Sequence, residues 1–116
     1  MRYKIIRLDR RYSYRDEFDY LLEFQRERRS GHVSLVPNGS GIYNTGVLAF
    51  DRARRWFNQQ FGWSQDVITR GKMITSGAEP EEVNTQWAYS VQYEQYRIYV
   101  ASDRELQWFV LAHPQT

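Results

Sequence analysis

With 116 residues, the chain has room for one domain with a real hydrophobic core, but not for two. Its hydrophobic fraction of 41% and charged fraction of 26% are ordinary for a globular domain and argue against disorder, and its net charge is only +2. The absence of cysteine excludes disulfides, cysteine-ligated zinc, iron–sulfur clusters and thiol nucleophiles.

The basic residues are unevenly distributed, and almost all are arginine. Lys4 and Lys72 are the two lysines. Residues 1–58 hold 12 basic and 7 acidic side chains, whereas residues 59–116 hold 4 and 7. The planar guanidinium group binds phosphates, carboxylates and aromatic faces. The N-terminal half therefore favours anionic partners, although ordinary surface ion pairs produce the same composition.

The first residues predict a location inside the cell. Met-Arg-Tyr-Lys-Ile-Ile-Arg has no long apolar run and no small-residue cleavage pattern, so it does not resemble a secretory signal. No stretch of the chain approaches the length of a transmembrane helix. We therefore expect a cytoplasmic protein that does not enter a membrane.

The first third of the chain predicts a strand, a helix and a second strand. Residues 3–8 have the pattern of a strand. Ser13-Tyr-Arg-Asp16 matches a capping box, and one apolar helical face follows it, which predicts a helix over residues 14–29. Residues 32–37 predict a short strand, and residues 38–41 a turn.

A further strand is expected to lead into the second helix. Residues 42–50 predict the strand, with a bulge around residues 44–46. Asp51 is the expected N-cap of a helix over residues 52–61, which Gly62 ends. Its inward face is expected to carry Ala53, Trp56, Phe57 and Phe61.

Residues 63–85 are less regular. Residues 67–69 and 72–75 fit either short strands or a helical turn. We expect residues 76–85 to form an exposed acidic loop.

The last third contains the clearest strand pattern. Large residues alternate from Trp87 to Tyr93, change phase, and alternate again from Tyr96 to Val100. A two-residue turn at Glu94-Gln95 explains this change and places Val91 opposite Ile98. Because Glu-Gln lacks the positive-φ residues that such turns prefer, a bulge or a longer loop is the alternative.

A third helix is predicted after this hairpin. Ser102-Asp-Arg-Glu105 is a second capping box. The residues on the inward face are Leu106, Phe109, Val110 and His113. The pattern Asp-Arg-x-x-x-Trp-Phe here repeats that of residues 51–57, but the helical phases differ. We therefore expect Trp56 and Trp108 to face different ways, and the repeat not to be a duplicated site.

These elements predict a single two-layer α+β domain over residues 1–116, in the order βαββα-ββα. The first five elements suit a ferredoxin-like split βαβ core, and the C-terminal hairpin and helix complete or extend the sheet.

Three arginines crowd the expected start of the second helix. With Asp51 as the N-cap, Arg52, Arg54 and Arg55 fall beside the positive end of the helix dipole, where cations are disfavoured. A bound anion would reverse this effect, since backbone N–H groups and guanidinium groups would converge on it. The sequence thus predicts an anion- or nucleic-acid-binding site here. The alternative is that these side chains extend into water or pair with acidic residues such as Glu79 and Glu82.

Aromatic residues are frequent, with nine Tyr, six Phe and four Trp. Trp and Tyr contribute strongly to protein interfaces, which predicts an aromatic interface, with the core as the alternative. The candidate interface residues are Tyr20, Phe24, Trp87, Tyr89, Tyr93 and Tyr96. Exposed rings on a sheet would also stack with the bases of single-stranded nucleic acid.

No motif for catalysis, cofactor binding or metal binding is present. The glycines at positions 39, 41 and 46 lie at the wrong end of the predicted strand for a phosphate loop, and neither histidine has the spacing of a metal site. We predict no catalytic residue, metal or cofactor. If the chain is an enzyme, its site is expected near His32, with Tyr43 or Asp51.

These features predict a small non-enzymatic interaction domain, with an anion site at the second helix. We expect it to form a homo-oligomer or to bind another protein through its aromatic surface. One alternative is a protein that binds single-stranded nucleic acid, and the other is a small enzyme with a site near His32 and Asp51.

Overall fold

A computed structural model describes residues 3–24, 45–79, 82–92 and 95–114. Within these ranges the chain is an α+β domain with one antiparallel sheet, whose strands are β1 (Lys4–Arg7), β2 (Tyr20–Phe24), β3 (Trp87–Gln92) and β4 (Gln95–Val100). The strand order in the sheet is β1-β2-β4-β3. The helices are α1 (Thr45–Phe61), α2 (Val67–Thr75) and α3 (Asp103–Ala112). The predicted α+β class is confirmed.

The ferredoxin-like order is not confirmed. In a split βαβ unit a helix follows the first strand, but β1 and β2 are joined by residues 8–19, which contain turns and no helix. The predictions for residues 25–44, including the strand over 32–37 and the turn over 38–41, lie outside the described residues.

The predicted helix over residues 14–29 was wrong for its described part, because residues 20–24 form the strand β2. Leu21 and Leu22 are both fully buried although they point to opposite faces of the sheet. A strand that is covered on both faces has no alternating pattern, so its adjacent leucines also fit the apolar face of a helix.

The predicted strand over residues 42–50 was wrong for residues 45–50, since α1 begins at Thr45. Phe50, Ala53 and Phe57 are buried and follow one another at helical spacing. Their burial outweighs the weak helix propensity of Thr45 and of the glycine that follows it. Gly62, with φ of 87°, ends the helix as predicted.

The ambiguous residues 67–75 form one helix, α2. Asp66 is its N-cap, because its Oδ1 accepts hydrogen bonds from the backbone N–H groups of Ile68 at 3.1 Å and Thr69 at 3.0 Å. In the region predicted as an acidic loop, Glu79 and Glu82 are exposed but Val83 is buried.

The C-terminal hairpin is confirmed with a different register. Val91 lies opposite Tyr96, and Tyr89 opposite Ile98, whereas the sequence predicted Val91 opposite Ile98. The two registers differ by two residues, so each side chain stays on the face expected for it.

The third helix begins after Ser102 as predicted. The side chain of Ser102 makes no hydrogen bond to the free backbone N–H groups. Its Oγ instead donates to the carboxylate of Glu105, so the two side chains of the predicted capping box bind each other.

The prediction of two layers was wrong, because elements pack on both faces of the sheet. On one face α1 and α3 cover the main cluster: Tyr3, Leu22, Phe24, Phe50, Ala53, Phe57, Trp87, Ile98, Val100, Leu106 and Phe109. On the other face α2 and the segment before β2 cover a smaller cluster: Leu8, Phe18, Leu21, Val67, Ala88 and Tyr99.

Candidate functional site

The three arginines expected at a helix start lie in the interior of α1. Because the helix begins at Thr45, Asp51 is not an N-cap, and Arg52, Arg54 and Arg55 are remote from the free N–H groups of the first turn. The premise of an anion site at a helix N-terminus was therefore wrong.

The arginine side chains do not converge on one point. Asp51 forms ion pairs with two of them: its Oδ2 lies 2.9 Å from Arg55 Nη2, and its Oδ1 lies 3.7 Å from Arg54 Nη2. The Arg54 guanidinium also lies 5.1 Å from the centre of the Tyr89 ring, whereas Arg52 acts electrostatically on His113 of α3. Anion binding by these residues stays a prediction, without the support of the helix dipole.

The aromatic residues expected at an interface lie mostly in or against the core. Phe24 is 0% and Trp87 is 1% exposed, so the prediction that they form a surface was wrong. Tyr20, Tyr89 and Tyr96 are partly buried and pack against the main cluster. Tyr93 lies outside the described residues. The same burial removes the ring platform on which nucleic-acid binding was based, since α1 and α3 cover that face.

A different apolar surface is exposed, on the outer side of α3. Trp108 is 50% and Leu111 is 76% exposed, and they lie one turn apart on the same face of the helix. The Trp108 ring rests against Phe61 at the end of α1, with ring centres 5.9 Å apart. We call Phe61, Trp108 and Leu111 the α1–α3 patch. Trp56 also contacts Phe61, at 5.7 Å, but it packs against Phe109 and His113 as well, so its ring lies within the contact between the two helices. That the two repeated tryptophans face different ways stays a prediction.

A signal for this patch was present in the sequence. Trp108-Phe-Val-Leu-Ala112 is apolar without interruption. Because a helix has two sides, such a run places apolar residues outward as well as inward. The inward residues Phe109 and Val110 were recognised, but the outward ones were not assigned a role.

A second surface feature is an open groove between α2 and the outer strand β3. It has a volume of about 240 Å³ and is lined by Asp66, Ile68, Tyr89, Ser90, Val91 and Gln92. Burial alone would raise the pKa of Asp66, but hydrogen bonds from Thr69 and Ile68 outweigh it and hold that pKa below its usual value. The Asp66 carboxylate therefore carries a negative charge at neutral pH.

Among the residues that the structure describes, no three acidic or histidine side chains converge as metal ligands. Of the residues named for an enzyme site, Asp51 is engaged by two arginines, and His32 and Tyr43 lie outside the described residues. No helix in the described ranges is both long and apolar enough to cross a bilayer.

No protein-family model, no curated protein and no solved structure matches the chain.

Proposed function

We propose that this protein is a small interaction domain that self-associates through the α1–α3 patch. The observation that carries the proposal is the exposure of Trp108 and Leu111 on one face of α3, with Trp108 supported by Phe61. Tryptophan is among the residues that contribute most to binding, and the exposed leucine beside it extends the apolar contact area.

The remaining residues of this face make it suitable for a second copy. Arg104, Gln107, Trp108 and Leu111 are all exposed and follow the i, i+3, i+4, i+7 spacing of a helix–helix contact. In an antiparallel pair of α3 helices around a two-fold axis, Trp108 lies near the axis. Arg104 then meets the end of the partner helix, where backbone carbonyls favour a cation and its aliphatic stem covers Leu111.

The patch has three side chains, far fewer than the roughly 20–30 residues that each partner contributes to a stable interface. We therefore expect an equilibrium between monomer and dimer that depends on concentration, and not a permanent dimer.

Sedimentation velocity over a wide range of concentration tests this proposal. Wild type is expected to shift towards the mass of a dimer, and Trp108→Gln to raise the dissociation constant roughly thirtyfold, equivalent to about 2 kcal/mol. Leu48→Ser is the matched control, because Leu48 is also exposed on a helix (52%) but lies near the opposite end of α1 from Phe61. A wild type that stays monomeric at every concentration, or a control that weakens association as much as Trp108→Gln, contradicts the proposal.

Binding of single-stranded nucleic acid is tested beside it. A labelled oligonucleotide titrated at low salt binds only if the arginine-rich surface attracts phosphates, and such binding must weaken steeply as salt rises. Oligonucleotide binding that Trp108→Gln leaves intact, together with a monomeric wild type, would favour this alternative over self-association.

A further inference from the structure

We propose that the groove between α2 and β3 binds an extended segment of another protein, which adds as a strand to the free edge of β3. The segment carries an apolar side chain for the groove and a lysine or arginine close to it. This inference does not rest on self-association, because the groove involves α2 and the α1–α3 patch involves the helices on the opposite face of the sheet.

Within the described part of the chain, the backbone of β3 is open where the groove lies. β3 is the last strand of the described sheet, next to β4 on one side. The N–H of Ala101 donates to the carbonyl of Gln86 at 2.9 Å, and hydrogen-bonded pairs alternate along an antiparallel ladder. Val91 and Tyr96 are therefore a non-hydrogen-bonded pair, and the N–H and C=O of Val91 point away from β4. An added strand needs such groups.

The chain itself shows that this edge accepts an extended segment. Asp66 forms a single parallel bridge with Tyr89, two residues before Val91, and its backbone is extended with φ of −66° and ψ of 159°. The chain then turns away into α2, so its own pairing stops before Val91. A bound segment would pair with β3 beyond the point where the bridge between Asp66 and Tyr89 ends.

The walls of the groove define the side chains that the segment must carry. Ile68 on α2 is 46% exposed, and Val91 on β3 is 48% exposed. Because side chains alternate between the two faces of a strand, Val91 shares the face of Trp87 and Tyr89, whereas Ile68 lies on the face that α2 covers. Each therefore offers an apolar contact to a different side chain of the added strand. Asp66 is the one charged side chain among the lining residues, whereas Arg54 lies over Tyr89 on the face that α1 covers. A basic residue is therefore complementary on the α2 side of the added strand, where an acidic residue is repelled.

Two synthetic peptides test the proposal by NMR titration of the ¹⁵N-labelled protein. The probe is a capped hexapeptide of alternating Val and Thr with one terminal Lys, and the comparison peptide has Glu in place of Lys. We expect the Lys peptide to shift the amide signals of Val91 and Ile68, and to bind about two- to fivefold more tightly than the Glu peptide, as for an exposed ion pair. If neither peptide shifts these signals, or if the Glu peptide binds as well, the proposal is wrong.

Three variants separate edge pairing from non-specific contact. Val91→Pro removes the outward N–H but no hydrogen bond to β4, and is expected to abolish binding. Ile68→Ser removes the apolar wall and is expected to weaken binding severalfold even if Val91→Pro does not fold. Ile74→Ser is the matched control, because Ile74 is also on α2 and 47% exposed but does not line the groove.

The outcomes distinguish this site from the proposed self-association. If Trp108→Gln leaves peptide binding unchanged, the result supports the groove as the peptide-binding site, whether the protein is a monomer or a dimer. If wild type without peptide dimerises and the Val91→Pro variant does not, the occupant of the edge is a second copy, and the proposal of a different partner is overturned. Equal weakening by Ile74→Ser and Ile68→Ser also overturns it.

Discussion

At the scale of single residues, His113 places an ionisable ring in the contact between α1 and α3. The ring stacks on Phe109 with centres 4.7 Å apart and meets the Trp56 ring edge-on at 5.5 Å. Its Nδ1 is buried without a hydrogen-bond partner. Burial lowers the pKa of His113, and the positive charge of Arg52 lowers it further. The folded protein therefore resists protonation of this ring.

This resistance predicts a loss of stability at acidic pH. Because the pKa in the folded state lies below the value of about 6.5 in the unfolded chain, the unfolded state binds the extra proton. The contribution of His113 is fully present above pH ~6.5 and falls as the pH drops below it, by at most about 1.4 kcal/mol per pH unit for one proton.

Urea denaturation at pH 7.5 and pH 5.5, roughly one unit on either side of the ordinary histidine pKa, measures this effect. We expect wild type to lose more stability between these values than His113→Gln. His32 is present in both proteins, so its contribution cancels in the comparison. An equal loss in both would show that the packing of His113 does not control its protonation.

At the scale of elements, Arg70 ties α2 to the chain on either side of it. Its Nη1 lies 2.6 Å from Glu17 Oε2, its Nε donates to the carbonyl of Asn84 at 3.3 Å, and its guanidinium lies 5.1 Å from the centre of the Phe18 ring. The Arg70 side chain is only 8% exposed. A buried guanidinium that loses its anionic partner is poorly solvated, so Glu17 matters more than its own partly exposed position suggests.

Glu17→Gln is therefore expected to reduce the free energy of unfolding by about 1–3 kcal/mol. Asp16→Asn is the control: its side chain is 87% exposed and lies 3.8 Å from Arg15, and we expect a change within about 0.5 kcal/mol. Urea denaturation at pH 7 compares the two variants. If both change stability equally, the ion pair does not anchor α2.

The elements that the sequence predicted correctly are those with local signals. The hairpin has alternating large residues, α3 has a polar start and an apolar face, and Gly62 is suited to end α1. β2 and the start of α1 were missed because tertiary packing decides them: both faces of β2 are covered, and Phe50 draws the preceding residues into a helix.

The surface was harder to predict than the fold because the same residue types serve cores and interfaces. Trp87 and Trp108 are chemically identical, yet one is 1% and the other 50% exposed. Their difference depends on which helices cover the sheet, and no local pattern contains that information. The arginine prediction failed for a related reason, since it depended on the position of one helix start.

At the scale of the whole molecule, Phe57 joins three elements in one aromatic cluster. Its ring stacks on Phe109 of α3 with centres 5.1 Å apart, and lies 5.5 Å from Trp87 of β3 and 5.8 Å from Phe61 of its own helix. Phe57 is 0% exposed, and a close-packed core relaxes only partly around a side chain that is removed. The stability of the sheet face covered by α1 and α3 thus depends on this ring.

Phe57→Ala is expected to destabilise the protein by about 3–5 kcal/mol, because it removes buried apolar surface and leaves a cavity. Phe61→Ala, one turn away on the same helix, removes a ring that is only partly buried, so we expect a clearly smaller loss. A small domain has a total stability of about 5–15 kcal/mol. The Phe57→Ala variant is therefore expected either to unfold at a lower urea concentration than wild type or to be unfolded without urea. A loss for Phe57→Ala no larger than that for Phe61→Ala would show that the cluster around Phe57 does not hold α1, β3 and α3 together.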